Sequence, residues 1–483
     1  MTQPRIRSPR PVPTKDLAEL LLGIETEFEV PAPFDQQTLT AAETAVADLE
    51  LPERDATDMP FFTIDPEGAT DLDQAMYLEK NEAGYVVNYA IADVPAFVKL
   101  GSKLDEVARQ RGQTYYLPHR KISLHPPLIS EDQGSLLPDQ VRPAFHWRIT
   151  LDTQGALGEI ELSRVRIRSR AQLDYVSAQK SLDESSGNEQ LELLAEIGAL
   201  RTKQEQLRGG ASLTLPDQEV EATDDGYKLV SRVPLPLEDH NAQISLLTGI
   251  AAARLMLDAG VGILRTMSAP EDKALADFRT QTQLLGHPWD QSISYGQYLH
   301  TLDVSDPQQL VIMHRAASLF RGADYQVING QPETDLVQAA LAAPYAHTTA
   351  PLRRLVDRFV LLTCSLLTSN QSIPDELKTA LDQLPELMQS SSASANKVNK
   401  AALDLMEAVL LQNRIGEEFQ AIVVQSARGG EGKSAEGQLQ LVQLPVTGSF
   451  TGDGEPGTLV TAKLIQADPT QRKISFEIVA QNS

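Results

Sequence analysis

Cysteine is nearly absent: Cys364 is the only one in 483 residues, so no internal disulfide can form, and a reducing cytoplasm is the expected setting. Long apolar runs are missing too. No stretch approaches the roughly 18–20 apolar residues that span a bilayer, and the arginine-bearing start MTQPRIRSPRPVP has no apolar segment behind it. Neither a membrane association nor a secretory signal is expected. Positive charge is scarce, with 42 Lys and Arg against 66 Asp and Glu and a formal charge of −24. A generic nucleic-acid binder is usually basic, so this balance argues against one, but not against a protein that gathers its cations into a channel. Aromatics make up only 5%, which leaves few stacking platforms.

What is present is enough hydrophobic residue, 41%, for one large core and one or two small ones. Residues 1–55 read as a small helical region. TKDLAELLLG and DQQTLTAAETAVADLE each suit a short helix, separated by EVPAPF. The pair suits a packing arm better than a helix–turn–helix. From about residue 56 to 412, strands and helices mix. FFTID, AMYLEK and YVVNYAIADV read as strands, with NEAG as a hairpin turn. AFHWRITLD and the long GEIELSRVRIRSRAQLDY follow as further strands. Helices are expected at LGSKLDEVARQRG and at 185–208, 240–258, 307–322, 351–369 and 396–412. Residues 413–483 change character: four or five short strands, separated by Gly-rich turns such as RGGEGKS and TGDGEPG, predict a small OB-type barrel. The fold class is therefore α+β, a large mixed α/β domain followed by a small barrel.

Three stretches carry chemistry. In TIDPEGATDLDQA, Asp71 and Asp73 are two apart and share a face, and PEGAT can fold the chain back towards Asp65. Such carboxylates would repel one another unless a hard divalent cation joined them, as Mg²⁺ does in phosphoryl chemistry. The alternative is a solvated loop whose acids cap turns. In YAHTTAPLRRLVDRF, Pro351 suits the first helical position, which would put Arg353 and Arg354 at the positive end of the helix dipole. A phosphate would be welcome there; the alternative is a pairing of Arg353 with Asp357. In ELSRVRIRSR, Arg164, Arg166, Arg168 and Arg170 alternate, which on one strand makes a basic stripe suited to a polyanion or an exposed face neutralised by nearby Glu.

These blocks, in this order, resemble the ribonuclease II / ribonuclease R family of RNB-domain 3′→5′ exoribonucleases. YAIADVPAFVKLGSKLDEVARQRGQTYYLP, GSLLPDQVRPAF and APYAHTTAPLRRLVDRF are the strongest matches. The resemblance implies that Asp65, Asp71 and Asp73 bind catalytic Mg²⁺, for which Mn²⁺ could substitute. It implies that Asp73 and Arg353 are catalytic and that Tyr116 packs on the 3′-terminal nucleotides. Tyr345, His347 and Arg354 would flank the same site, and Arg166, Arg168 and Arg170 would line the RNA path. The implied partner is RNA, mainly single-stranded 3′ ends, acted on by a monomer. The chain departs from the family pattern at Gln74, where an acid is usual, at Ala242-Gln243 and at Asn399-Lys400. The usual pair of N-terminal cold-shock domains is not represented, and the barrel lacks a rich aromatic face. A non-cleaving RNA-binding paralogue and a metal-dependent phosphatase are the alternative readings.

Overall fold

The structure is a computed structural model. It describes the chain apart from residues 1–5, 8–13, 186, 214, 224–225, 305, 321, 331–335, 429–435, 445 and 482–483. Most of MTQPRIRSPRPVP and residues 429–434 of the expected turn RGGEGKS therefore lie outside the described residues.

Two helices come first, α1 (Thr14–Glu27) and α2 (Gln36–Ala47). They pack on different partners and do not pair as a helix–turn–helix. Leu17, Leu21 and Ile24 of α1 share a core with residues 395–409, whereas Ala42 of α2 packs beneath the sheet. The central sheet is built from β1 (Phe62–Asp65), β2 (Gln74–Asn81), β3 (Gly84–Ala92), β4 (Val141–Asp152), β5 (Leu157–Arg168) and β6 (Ala171–Asp174). Its order is β5-β4-β3-β2-β1-β6, antiparallel except for the β1/β6 pair. All nine residues of β3 are buried, as expected for a central strand covered on both faces.

Between β3 and β4 lies helix α3 (Lys103–Arg111), started by Ser102, whose hydroxyl accepts from the Asp105 N–H. Helices α4 (Glu189–Arg208) and α5 (Pro236–Ala259) follow the sheet, and then come α6 (Leu355–Thr368) and α7 (Asp375–Leu411). By length and composition α5 could cross a membrane, but it is a core helix here: Ile244, Leu247, Ala251 and Met256 are buried against the sheet and α6. Helix α7 is much longer than the 396–412 stretch expected, and it holds Pro385 inside it. It joins three cores in succession. Leu381 and Leu384 belong to the central one, Val398 and Leu405 to the α1 contact, and Ala408 and Leu411 to the barrel. Each fully buried leucine there contributes roughly 1.5–3 kcal/mol by leaving water.

The barrel consists of β7 (Glu418–Arg428), β8 (Glu436–Leu441), β9 (Thr447–Thr451), β10 (Leu459–Asp468) and β11 (Lys473–Gln481). It closes in the order β7-β8-β9-β11-β10, with β9 and β11 parallel. That is the OB-type topology expected.

Candidate active site

β1 ends at Asp65, and residues 66–73 turn back to start β2. Gly68 has φ +79°, a left-handed value that side chains avoid, and the Ala69 N–H donates to the Pro66 carbonyl at 3.1 Å. Ser135 pins the returning strand: its Oγ donates to the Thr70 carbonyl (2.7 Å) and accepts from the Leu72 N–H (2.9 Å). Leu72 is fully buried, so alternation sends Asp71 and Asp73 the other way, towards an open cavity.

That cavity, about 820 Å³, is lined by Asp65, Asp71, Asp73, Gln74, Tyr89, Tyr116, Tyr175, Arg353 and the first turns of α5. Arg353 comes from a turn before α6, not from its first turn. The Arg353 and Arg354 N–H groups both donate to the Ala350 carbonyl, the Thr114 N–H donates to the Arg353 carbonyl, and Arg354 bridges Gln113. This backbone pairing holds Arg354 extended (φ −138°, ψ 124°), so Pro351 cannot be the first helical residue and α6 starts four residues late. The expected i,i+4 pair also shifts. Asp357 holds Arg354 through two contacts (2.5 and 2.9 Å) and accepts from the Ala350 N–H (2.8 Å). Arg353 is left free to reach Asp73, Nε to Oδ2 at 3.4 Å, with its side chain 49% exposed to the cavity.

The acids differ in their surroundings. Asp73 is 2% exposed, and its Oδ1 accepts from the Leu352 N–H at 2.7 Å. Burial pushes its carboxyl up to about 8, against the pull of Arg353 and Leu352. Burial likewise raises Asp65 to about 7, with Arg353 opposing and Asp71 reinforcing the shift. Asp65 Oδ2 is buried with no hydrogen-bond donor among the described residues. Asp71 pairs with Lys121 at 3.0 Å. Gln74 donates its amide to the Thr349 carbonyl, and Thr349 in turn hydrogen-bonds Ser245 of α5 (2.7 Å).

Six carboxylates line the cavity (Asp65, Glu67, Asp71, Asp73, Glu238, Asp239) and Arg353 is the one cation in the lining, although Lys121 and Arg232 pair with Asp71 (3.0 Å) and Glu238 (2.6 Å) from behind it. A phosphate would meet a repulsive field there unless a cation were added. The oxygen donors and the orphaned Asp65 oxygen suit a hard divalent ion such as Mg²⁺. Among the described residues, no three His, Cys, Asp or Glu side chains form a ready-made cage.

Several residues expected at the site lie behind it or elsewhere. Arg354 is taken up by Asp357. Tyr345 is buried edge-on to His347, with ring centroids 5.5 Å apart, and its ring occupies the space a side chain at Gly249 would need. His347 Nδ1 meets the Tyr325 hydroxyl at 2.6 Å, and burial, with Arg354 and Arg265 nearby, holds the imidazole well below its ordinary value. Of these three, Arg354 belongs to the turn that carries Arg353, and none lines the cavity. Nor does the arginine stripe, of which Arg164, Arg166 and Arg170 are held by partners within the fold. Arg164 holds the buried Asp93 (2.7 Å), Arg166 holds Asp55 (2.8 Å), and Arg170 donates to the Thr57 carbonyl (2.6 Å). The strand itself breaks at Ser169, which puts Arg170 outside β5. Arg168 is not among the cavity residues either. Tyr116 does reach the cavity, 51% exposed. Of the departures from the family pattern, Ala242 lines the cavity, whereas Lys400 sits on α7 paired with Asp404 (2.9 Å).

Lys121 and the backbone N–H of Leu352 escape sequence reasoning. Lys121 is 50 residues from Asp71, in a segment with no periodicity, and only the pairing of Tyr115–Tyr116 with Lys121–Ile122 delivers it.

A mixed sheet whose acid-bearing turn faces an arginine turn, followed by a closed barrel, defines the class. The RNB domain model matches residues 53–369, and the RNase II-type exonuclease C-terminal S1 domain matches residues 417–479. The chain belongs to the RNB-domain family. Within it, the chain is similar to Ribonuclease R of Aquifex aeolicus, 26% identical over 82% of this chain and 59% of that protein. It is also similar to Exoribonuclease 2 of Vibrio vulnificus, 37% identical over 29% of this chain and 21% of that one. The chain thus spans less than two thirds of the length of either relative. The apo form of Mycoplasma genitalium RNase R shares the fold, with a TM-score of 0.85 at 20% identity, over 96% of this chain and 78% of that one.

Proposed function

We propose that the protein is a hydrolytic, metal-dependent exoribonuclease that shortens RNA from single-stranded 3′ ends, as a cytoplasmic monomer, releasing nucleoside 5′-monophosphates. The observation that carries this reading is the meeting of Asp73 and Arg353 in one cavity with the unpartnered oxygen of Asp65. Asp65, Asp71 and Asp73 would hold Mg²⁺, or Mn²⁺ in its place. When bound, the ion supplies Lewis-acid charge stabilisation and lowers the pKa of water at the scissile linkage. Arg353 offers its exposed guanidinium fork to the phosphate and offsets charge that builds up on it. The Leu352 N–H keeps Asp73 aimed into the cavity. Tyr116 provides a face on which a terminal base stacks, worth about 1–3 kcal/mol.

A second reading, RNA binding without cleavage, is favoured by Gln74, which is neutral and committed to Thr349. RNA labelled at its 5′ end separates the readings. Progressive shortening from the 3′ end with Mg²⁺ and none with EDTA is the expected result. Binding without shortening supports the second reading, and neither binding nor shortening returns the protein to a small-molecule phosphatase.

The site also sets a pH dependence. Burial pushes Asp65 up to about 7 and Asp73 up to about 8, above the ordinary 3.8 of an exposed carboxyl, so the folded metal-free protein holds more protons. Their contribution to stability is fully present below the unfolded value and is lost as pH rises towards 8. Cation binding reverses that loss and releases protons. The Mg²⁺-induced rise in Tm should therefore be larger at pH 8 than at pH 6. An equal rise at both would contradict the assignment of these two acids to the ion.

A further inference from the structure

Lys121 lies on the short strand Lys121–Ile122, in register with Tyr116. Its Nζ is 3.0 Å from Asp71 Oδ1 and 3.1 Å from Glu131 Oε1, and the side chain is 24% exposed. Glu131 is itself fixed, since its Oε1 also accepts from Ser123 Oγ at 3.1 Å. The ammonium is thus anchored from behind and presented to one member of the acidic set, unlike a surface pair in which both partners are free to move.

The three aspartates are already provided for to different degrees. Asp73 has the Leu352 N–H and Arg353, and Asp71 has Lys121. Asp65 alone keeps a buried oxygen with no donor among the described residues. Gln74, next to Asp73, adds no charge and spends its amide on the Thr349 carbonyl. A divalent ion at Asp65 and Asp73 would give the orphaned Asp65 oxygen its partner. A second ion on Asp71 would have to displace the ammonium or sit against it, and like charges at that separation repel strongly in a partly buried site.

We infer that Lys121 is a resident cation of the site: it neutralises Asp71, so the cavity takes one divalent ion, at Asp65 and Asp73, instead of two. The inference rests on the metal-dependent reading given above. Around the three aspartates themselves, the ion, Lys121 and Arg353 carry four positive charges against three negative ones, so a second ion is not needed to balance them.

The test is a count of Mn²⁺ ions bound to metal-free protein, by calorimetric titration at pH 7.5 with no RNA present. Wild type and Lys121→Arg, which keeps the charge, should each bind one ion at this site. Lys121→Met should bind a second ion or hold the first on the order of tenfold more tightly, since a nearby fixed positive charge has been removed. Two ions in the wild type would overturn the inference. So would a Lys121→Met protein with unchanged stoichiometry and affinity, or the absence of any bound ion in all three. The wild-type count stands even if the methionine variant fails to fold. With no RNA in the cell, failure of the nuclease reading would show in the cleavage assay and leave this count unaffected.

Discussion

Asp73→Asn should cut the rate of 3′-end shortening by on the order of 10³-fold or more while changing RNA affinity by less than about twofold. Asparagine has almost the same shape and keeps a carbonyl oxygen for the Leu352 N–H, which now donates to Asp73 Oδ1 at 2.7 Å. What it removes is one negative charge at the point where the acids meet Arg353. The guanidinium loses its partner at 3.4 Å and is freed for phosphate, so binding holds while the ion loses a ligand. Because a carboxyl raised to about 8 by burial is itself costly to ionise, the variant should unfold at the same temperature as wild type or a higher one. Single-turnover shortening of labelled RNA, with affinity measured in the absence of metal, reads both effects. Retention of more than a few per cent of the rate would remove Asp73 from the chemistry.

Asp105→Ala should lower stability by about 3–5 kcal/mol, as expected when one member of a buried ion pair is deleted. Arg358 of α6 is fully buried and ion-paired with Asp105 Oδ1; its other hydrogen bond, to the Val98 carbonyl, is long at 3.4 Å. Asp105 also takes Arg109 Nε (3.0 Å) and the Gly101 N–H (2.9 Å). Without it, a buried guanidinium is left with one weak partner. Arg358 is one helical turn past Arg354, so the loss would also loosen the turn that aims Arg353. Urea unfolding measures the effect. A change below about 1 kcal/mol would mean that water reaches Arg358, and that the pair does not fix the start of α6.

The elements that the sequence alone predicted well are those fixed by local pattern. The apolar, aromatic and β-branched residues of FFTID, AMYLEK and YVVNYAIADV, and the turn at NEAG, correspond to β1, β2 and β3. The short strands after residue 415 correspond to the barrel, because both signals need only neighbours along the chain. The same-face spacing of Asp71 and Asp73 was legible for that reason. What failed depended on distant partners. Pro351 looks like a helix start until Gln113 and Thr114 are seen pairing with the segment after it. Arg164, Arg166 and Arg168 do share a strand face, but nothing along the chain says that the strand stops before Arg170, or that Asp93, Asp55 and the backbone at 52–57 take up Arg164, Arg166 and Arg170. The first half of α7 was hidden by Pro385 and a serine-rich stretch, both poor helix formers. Packing against the central core outweighs them.

The most direct test of the account is anomalous diffraction at the manganese edge. The crystals would hold the protein with Mn²⁺ and a short RNA whose last linkage resists hydrolysis. The expected map has manganese density beside Asp65 and Asp73, with the terminal phosphate between that density and the Arg353 guanidinium. RNA ending elsewhere on the molecule, or manganese away from these aspartates, would contradict it.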